Sequence, residues 1–167
     1  NGETWANSTN VGSSDDSKAT SVIDAIATSA TFPGTIITRS IGSTVWANPS
    51  NAGADNNTYA TNYNPGTASD WLEGDNFGFD LPTDSQIVGI KVEVGLLADD
   101  NTANLFSCQL HNNGTRISDT HLKTGNSITT SEAVQTIGGD DDLWGRDAGD
   151  WSVSDIEDAN FGFAMTV

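Results

Sequence analysis

The chain opens the same way twice. Trp5-Ala6-Asn7-Ser8-Thr9-Asn10-Val11-Gly12 returns 41 positions later as Trp46-Ala47-Asn48-Pro49-Ser50-Asn51-Ala52-Gly53, and the match runs on without a gap to Ala19-Thr20 against Ala60-Thr61. Seven of the sixteen positions from Trp5 to Thr20 are identical to their partners. Two Trp-anchored openings precede sequence for one full module, so the first is expected to be a spare strand for a neighbouring subunit. This divides the chain into an arm or assembly segment over 1–44 and a domain over 45–167. Trp5, Ala6, Asn7, Asn10 and Val11 are the expected contact residues of the arm.

The remainder reads as many short strands. Ile90, Val92, Val94 and Leu96 alternate with Lys91, Glu93 and Gly95, the period-2 pattern of a half-buried strand. Phe77, Phe79 and Leu81 alternate with Gly78 and Asp80, and Phe161, Phe163, Met165 and Val167 with Gly162, Ala164 and Thr166. Further short strands are expected at Thr35–Thr38, Thr58–Thr61, Leu105–His111 and Thr115–Ser118, with an edge-like stretch at Asn126–Thr130. Asn112-Asn113-Gly114 is a hairpin signal, because Asn-Gly tolerates positive φ. Residues 17–31 are compatible with a helical face through Ile23 and Ile26 or with an extended chain. Ser154-Asp155-Ile156-Glu157 has the form of a capping box and predicts one helical turn. Turn signals every ten or so residues describe an all-β chain, an antiparallel β-sandwich of jelly-roll-like form with an N-terminal arm. Trp46, Phe77, Phe79, Phe161 and Phe163 are its expected core anchors.

Charge narrows the partners. Six basic residues stand against 23 acidic ones, a net charge of −17. Nucleic acid and anionic membrane surfaces are poor partners for such a chain, and no apolar run approaches spanning length. Acidity suits solubility, a cationic partner surface, a salty medium or bound calcium. Asp140-Asp141-Asp142 after Gly138-Gly139 is the candidate calcium loop, since hard cations take loop carboxylates and the glycines free the backbone to turn inward. No other cofactor is expected.

Catalytic constellations are not assembled by the motifs present. His111 and His121 lack Cys or His at metal-ligand spacing and read as surface hairpin residues. Glu73 beside Trp71, or Glu93 on its strand, could be imagined as a glycosidase carboxylate, but exposed charge is the simpler reading. Cys108 alternates inward with Phe106 and Leu110 and reads as a buried structural thiol. Trp71, Trp144 and Trp151 are either staples of loops onto the core or rings that stack on sugars. Asn7, Asn56 and Asn113 begin glycosylation sequons, relevant if the protein is secreted by a glycosylating cell. The start at Asn suggests a processed product, a fragment or a renumbered chain, and the stop inside a strand pattern suggests a sheet that is incomplete alone.

The phrases Trp46-Ala47-Asn48-Pro49-Ser50-Asn51-Ala52, Tyr59-Ala60-Thr61, Asn76-Phe77-Gly78-Phe79, Ile87-Val88-Gly89-Ile90-Lys91-Val92-Glu93-Val94, Asp142-Leu143-Trp144-Gly145 and Asn160-Phe161-Gly162-Phe163 resemble a β-sandwich module of tailed-phage virion proteins. Those proteins are head-decoration, tail and fibre-associated components. The resemblance covers roughly residues 45–167. It implies a non-enzymatic structural protein at the virion surface or outside the cell, oligomeric, with the major capsid protein or further copies of itself as partners. The chain departs from that pattern in its duplicated opening and in lacking a further strand after the last Asn-Phe-Gly, and both departures favour strand exchange. A pilus-like cellular filament built on the same donor-strand logic, and a glycan-binding module, are the alternatives.

Overall fold

The computed structural model describes residues 4–6, 20–22, 31–40, 44–63, 68–99, 106–112, 115–116, 122–125 and 127–167. The chain forms two compact units, Asn1–Ala30 and Thr31–Val167. In the first, strand β1 (Thr4–Ala6) pairs antiparallel with β2 (Thr20–Val22), placing Ala6 opposite Thr20 and Trp5 opposite Ser21. Where 17–31 was open between helix and extended chain, Thr20–Val22 is extended.

The second unit holds a six-stranded antiparallel sheet. It is built from β3 (Thr35–Arg39), β4 (Trp71–Asp75), β6 (Ser107–Asn112), β7 (Thr115–Arg116), β8 (Lys123–Thr124) and β10 (Gly162–Thr166). The order across the sheet is β3-β4-β10-β6-β7, with β8 also on β6. A separate antiparallel pair joins β5 (Lys91–Leu96) to β9 (Ala133–Gly138), with Val92 opposite Ile137. Among the described residues the one α-helix, α1, spans Val153–Glu157. The described fold is thus all-β and antiparallel in its sheets. β3 lies inside the 1–44 segment and is a strand of the body sheet, and the contacts divide the chain at 30/31.

β10 sits in the middle because its residues allow it. Phe161 through Met165 are all buried, so both faces of the strand are covered. Its small residues Gly162 and Ala164 stand between Asp75 and Glu73 of β4 and His111 and Gln109 of β6. Its large ones, Phe163 and Met165, point the other way with Leu72, Cys108 and Leu110. Gly74 is required on that side, since a Cβ there would meet the Phe163 ring at 2.8 Å. The apolar cluster takes Val92 and Ile137 from the β5–β9 pair, and Trp144, Trp151, Ile156 and Phe161 from the segment before β10. At Gly138 φ is +81° and a Cβ would meet the Ile90 carbonyl at 2.3 Å, so this position also needs glycine.

Several expectations are corrected. Phe77–Leu81 is not a strand: its burial alternates, and Phe77 stacks on Phe79 at 5.6 Å, but no ladder forms. Thr58–Thr61 supplies only an isolated bridge, Ala47 to Thr61. The capping box belongs two residues earlier, where Ser152 accepts from the Asp155 amide and Asp155 accepts from the Ser152 amide. Ser152 wins because Ser154 already lies within the helical turn. The Asn-Gly hairpin is matched by its register, with Asn112 opposite Thr115.

Candidate functional site

The second Trp phrase builds a closed loop on the body. The Trp46 indole is buried and donates from Nε1 to the Asp70 carbonyl at 2.8 Å. Ala47 and Thr61 exchange both main-chain hydrogen bonds, at 2.8 and 3.0 Å. Asn48 takes a left-handed conformation (φ 50°) before the 3-10 turn Pro49–Gly53, which Asn tolerates better than most residues. Asn51 braces the far side by donating from Nδ2 to the Tyr59 carbonyl at 3.1 Å. The loop's rim is tied down where the Asp70 amide donates to the Thr44 carbonyl at 2.8 Å.

Beside this loop lies a sheet edge, against which the 3-10 turn Pro49–Gly53 packs. Among the described residues β3 has β4 on one side and no strand on the other. Four of its five residues, Thr-Ile-Ile-Thr, are strand formers, and Ile37 is exposed. Such an edge is a template for another strand.

The third feature is a buried polar face. Across the sheet, Glu73 of β4, Ala164 of β10 and Gln109 of β6 lie in one row, and Asp75, Gly162 and His111 in the next. Glu73 is 2% exposed, Gln109 1% and His111 1%. Arg39 on β3 donates from Nε to both Glu73 oxygens, at 2.8 and 2.9 Å. That contact raises the arginine's already high pKa. Among the described residues, Gln109 and His111 have no hydrogen-bond partner on any side-chain nitrogen or oxygen. Burial lowers the His111 pKa, opposed by the Glu73 and Asp75 carboxylates and by the Asn160 main chain, which comes close without reaching hydrogen-bond geometry; the Arg39 charge lowers it further. His111 is therefore not a surface residue, and Glu73 is not an exposed charge. Their strand alternation with Cys108, Leu110, Leu72 and Gly74 carried the signal, once β4 and β6 are known to flank a covered central strand. Glu93, the other carboxylate considered, is exposed and sits 3.4 Å from Lys91.

The remaining expected site residues fall in different places. Trp71, Trp144 and Trp151 are 7%, 0% and 3% exposed, so they offer no free ring face to a sugar and the stacking role is corrected. Trp144 donates to the Ile90 carbonyl at 2.8 Å, and Trp151 donates to the Leu143 carbonyl at 3.0 Å and meets Phe161 edge-on. Each staples a loop to the core. In the aspartate run, Asp140 and Asp141 are exposed. Asp142 has both oxygens engaged, Oδ2 by Lys123 Nζ at 2.6 Å and Oδ1 by the Trp144 amide at 2.8 Å. Burial raises its pKa, but the Lys123 and Trp144 hydrogen bonds and the Lys123 charge outweigh that and hold it below the ordinary value. A cation there would have to displace Lys123, and among the described residues no cluster of three or more ligating side chains is present.

Asn56 is exposed, and its side chain accepts from the Thr58 amide and hydroxyl. Phe77 and Phe79 are half-buried, while Phe161 and Phe163 lie in the core. Trp5 and Ala6 belong to β1, whereas Asn7, Asn10, Val11 and Asn113 lie outside the described residues. Cys108 is fully buried, as expected, and burial pushes its thiol up to about 12. Comparisons of the chain with protein-family models, with curated proteins and with solved structures returned no match.

Proposed function

We propose that this chain is a non-enzymatic structural subunit of an extracellular particle, joined to its neighbours by its N-terminal segment. In this reading the six-stranded sheet and the β5–β9 pair are the layers of a jelly-roll-like sandwich. The segment at the amino terminus adds a strand to the sheet of the next subunit. The observation that carries the reading is that, among the described residues, β3 ends the sheet with no strand on its far side and Ile37 is exposed. An added strand gains main-chain hydrogen bonds along that edge and sets its register by alternate side chains. The virion setting, as a capsid decoration or surface subunit, rests on the likeness of the strand-and-turn phrases. The acidic surface suits a particle exposed to solvent on all sides.

Magnitudes set what the segment must supply. A five-residue strand on β3 gains about 4–6 hydrogen bonds, each worth about 0.5–1.5 kcal/mol net. Association costs on the order of 4–15 kcal/mol in lost freedom. Pairing alone thus supplies about 2–9 kcal/mol, little or no surplus over that cost, and a buried anchor such as Trp5 adds to it. The deciding experiment is deletion of residues 1–20, followed by sedimentation and electron microscopy. A folded monomer that no longer assembles is expected, and assembly that survives the deletion removes the reading. A pilus-like filament is the second reading. It is favoured because donor segment and acceptor edge are different surfaces, and such contacts propagate into chains or close into rings.

A further inference from the structure

We propose that residues 4–22 are a second copy of the loop 45–63 and dock, on another copy of this chain, in the seat that loop occupies, with Trp5 in the position of Trp46. The inference rests on the N-terminal segment joining subunits, and it replaces simple edge addition with loop exchange.

The backbone pairing is the first support. β1 and β2 place Ala6 opposite Thr20, and the body places Ala47 opposite Thr61, antiparallel in both cases. Adding the 41-residue offset of the sequence repeat to 6 and 20 gives 47 and 61. The repeat therefore keeps its pairing register as well as its letters.

The choice of repeated letters is the second support. Of the seven identities, Trp46 supplies the indole on Asp70, Ala47 and Thr61 make the bridge, Asn48 takes the left-handed turn and Asn51 holds Tyr59. Ala60 packs on the core. The positions that differ between the two phrases include the exposed run 54–58. Most of what closes the loop is repeated; Asn62, which donates to the Thr44 carbonyl at 3.1 Å, stands where the first phrase has Ser21, and what varies also includes the part that faces water.

The seat consists of the Asp70 carbonyl, which accepts the indole N–H, and the rim at Thr44 and Ser69. The home loop is tethered beside this seat, so it holds an effective concentration advantage in the millimolar range. An incoming loop displaces it only where subunits crowd together or where the home loop is weakened. The exchange is head-to-tail, because the donated loop and the vacated seat are different parts of the chain.

The test weakens the home loop in the full chain and asks whether the first loop takes over. Trp46→Ala is expected to sediment as species larger than the wild type at equal concentration, with a size and a melting temperature that rise with concentration. Adding Trp5→Ala is expected to return both to concentration independence. Ala47→Pro, which removes the N–H given to Thr61, is a second way to loosen the loop, with Ala6→Pro as its partner change. Single variants no larger than wild type, or single variants whose behaviour Trp5→Ala and Ala6→Pro leave unchanged, overturn the proposal; unfolded or aggregated material unaffected by the second change counts the same way. If deletion of 1–20 abolishes wild-type assembly while Trp46→Ala ignores Trp5, subunits still join through the N-terminal segment and loop exchange alone is wrong. If that deletion leaves assembly intact, the broader reading falls with it.

Discussion

At the centre of the six-stranded sheet, on β4, β10 and β6, the two faces are equally buried and differently made. One face, with Leu72, Cys108, Leu110, Phe163 and Met165, meets the apolar cluster. The other, with Glu73, Gln109, His111 and Ala164, is as deeply buried, yet four of its polar atoms have no partner among the described residues. Burial stabilises the first face through apolar area removed from water. On the second it costs about 1–3 kcal/mol for each unsatisfied group. A sheet can therefore be closed on both sides while only one side contributes net stability. The polar side is tolerated because the Arg39–Glu73 pair and the small side chains of β10 limit its cost.

The largest test of this contrast is Leu110→Ala. It should lower unfolding free energy by about 2–5 kcal/mol, as buried leucine truncations do, and chemical denaturation measures it. A loss under 1 kcal/mol would mean that the apolar face is loosely packed.

Arg39→Ala comes next. It leaves the Glu73 carboxylate buried and uncompensated, but the arginine side chain is about half exposed, 47% against 3% for its partner. Water therefore screens part of the pair, and a loss of about 1–2 kcal/mol is expected by thermal melts.

A third effect is read in pH. Burial holds His111 below its ordinary 6.5, so the unfolded chain takes up a proton there that the folded chain resists. Its contribution to stability is full above pH 6.5 and declines as pH falls below it. His111→Phe should flatten that part of the melting-temperature profile. Asp142 and Asp155 act in another window. For Asp155 the causes are the Ser152 hydroxyl and amide first, with burial opposing, then Asn112 and the Arg146 charge. Both acids are held below 3.8, so their stabilisation is present above that value and lost as pH falls under it. A profile that drops only below 3.8 would show that His111 is not buried as described.

The smallest effect carries the opposite sign. Gln109→Met replaces two unsatisfied atoms with an apolar chain of similar length, and should be neutral or stabilising by up to about 1 kcal/mol. A loss above that would reveal hydrogen bonds on Gln109.

Much of the strand content was legible from alternation. Ile90 to Leu96 reads as a strand and forms β5, and Phe161 to Val167 reads as one and forms β10. The same rule misled at Phe77–Leu81, because alternation reports which side chains are covered and not whether a neighbouring backbone offers hydrogen bonds. β4 was hidden by Glu73 and Gly74, weak strand formers whose place is set by Arg39, Phe163 and the ladders on both sides. β9, Ala-Val-Gln-Thr-Ile-Gly, mixes apolar and polar residues too evenly to stand out before β5 pairs with it. His111 reads as a surface hairpin residue because its burial depends on β10, about fifty positions away, coming to lie beside it. The duplicated phrase was plain as sequence, and its retained pairing register emerges only from the backbone.

Cys108 has a practical bearing on all these experiments. A thiol fully enclosed between strands and held up near 12 stays protonated at neutral pH, and a protonated, inaccessible sulfur reacts slowly with maleimides or oxidants. The natural chain is thus a silent background for dyes and spin labels. One cysteine placed at exposed Val45 would report whether the loop beside it stays at home or changes hosts.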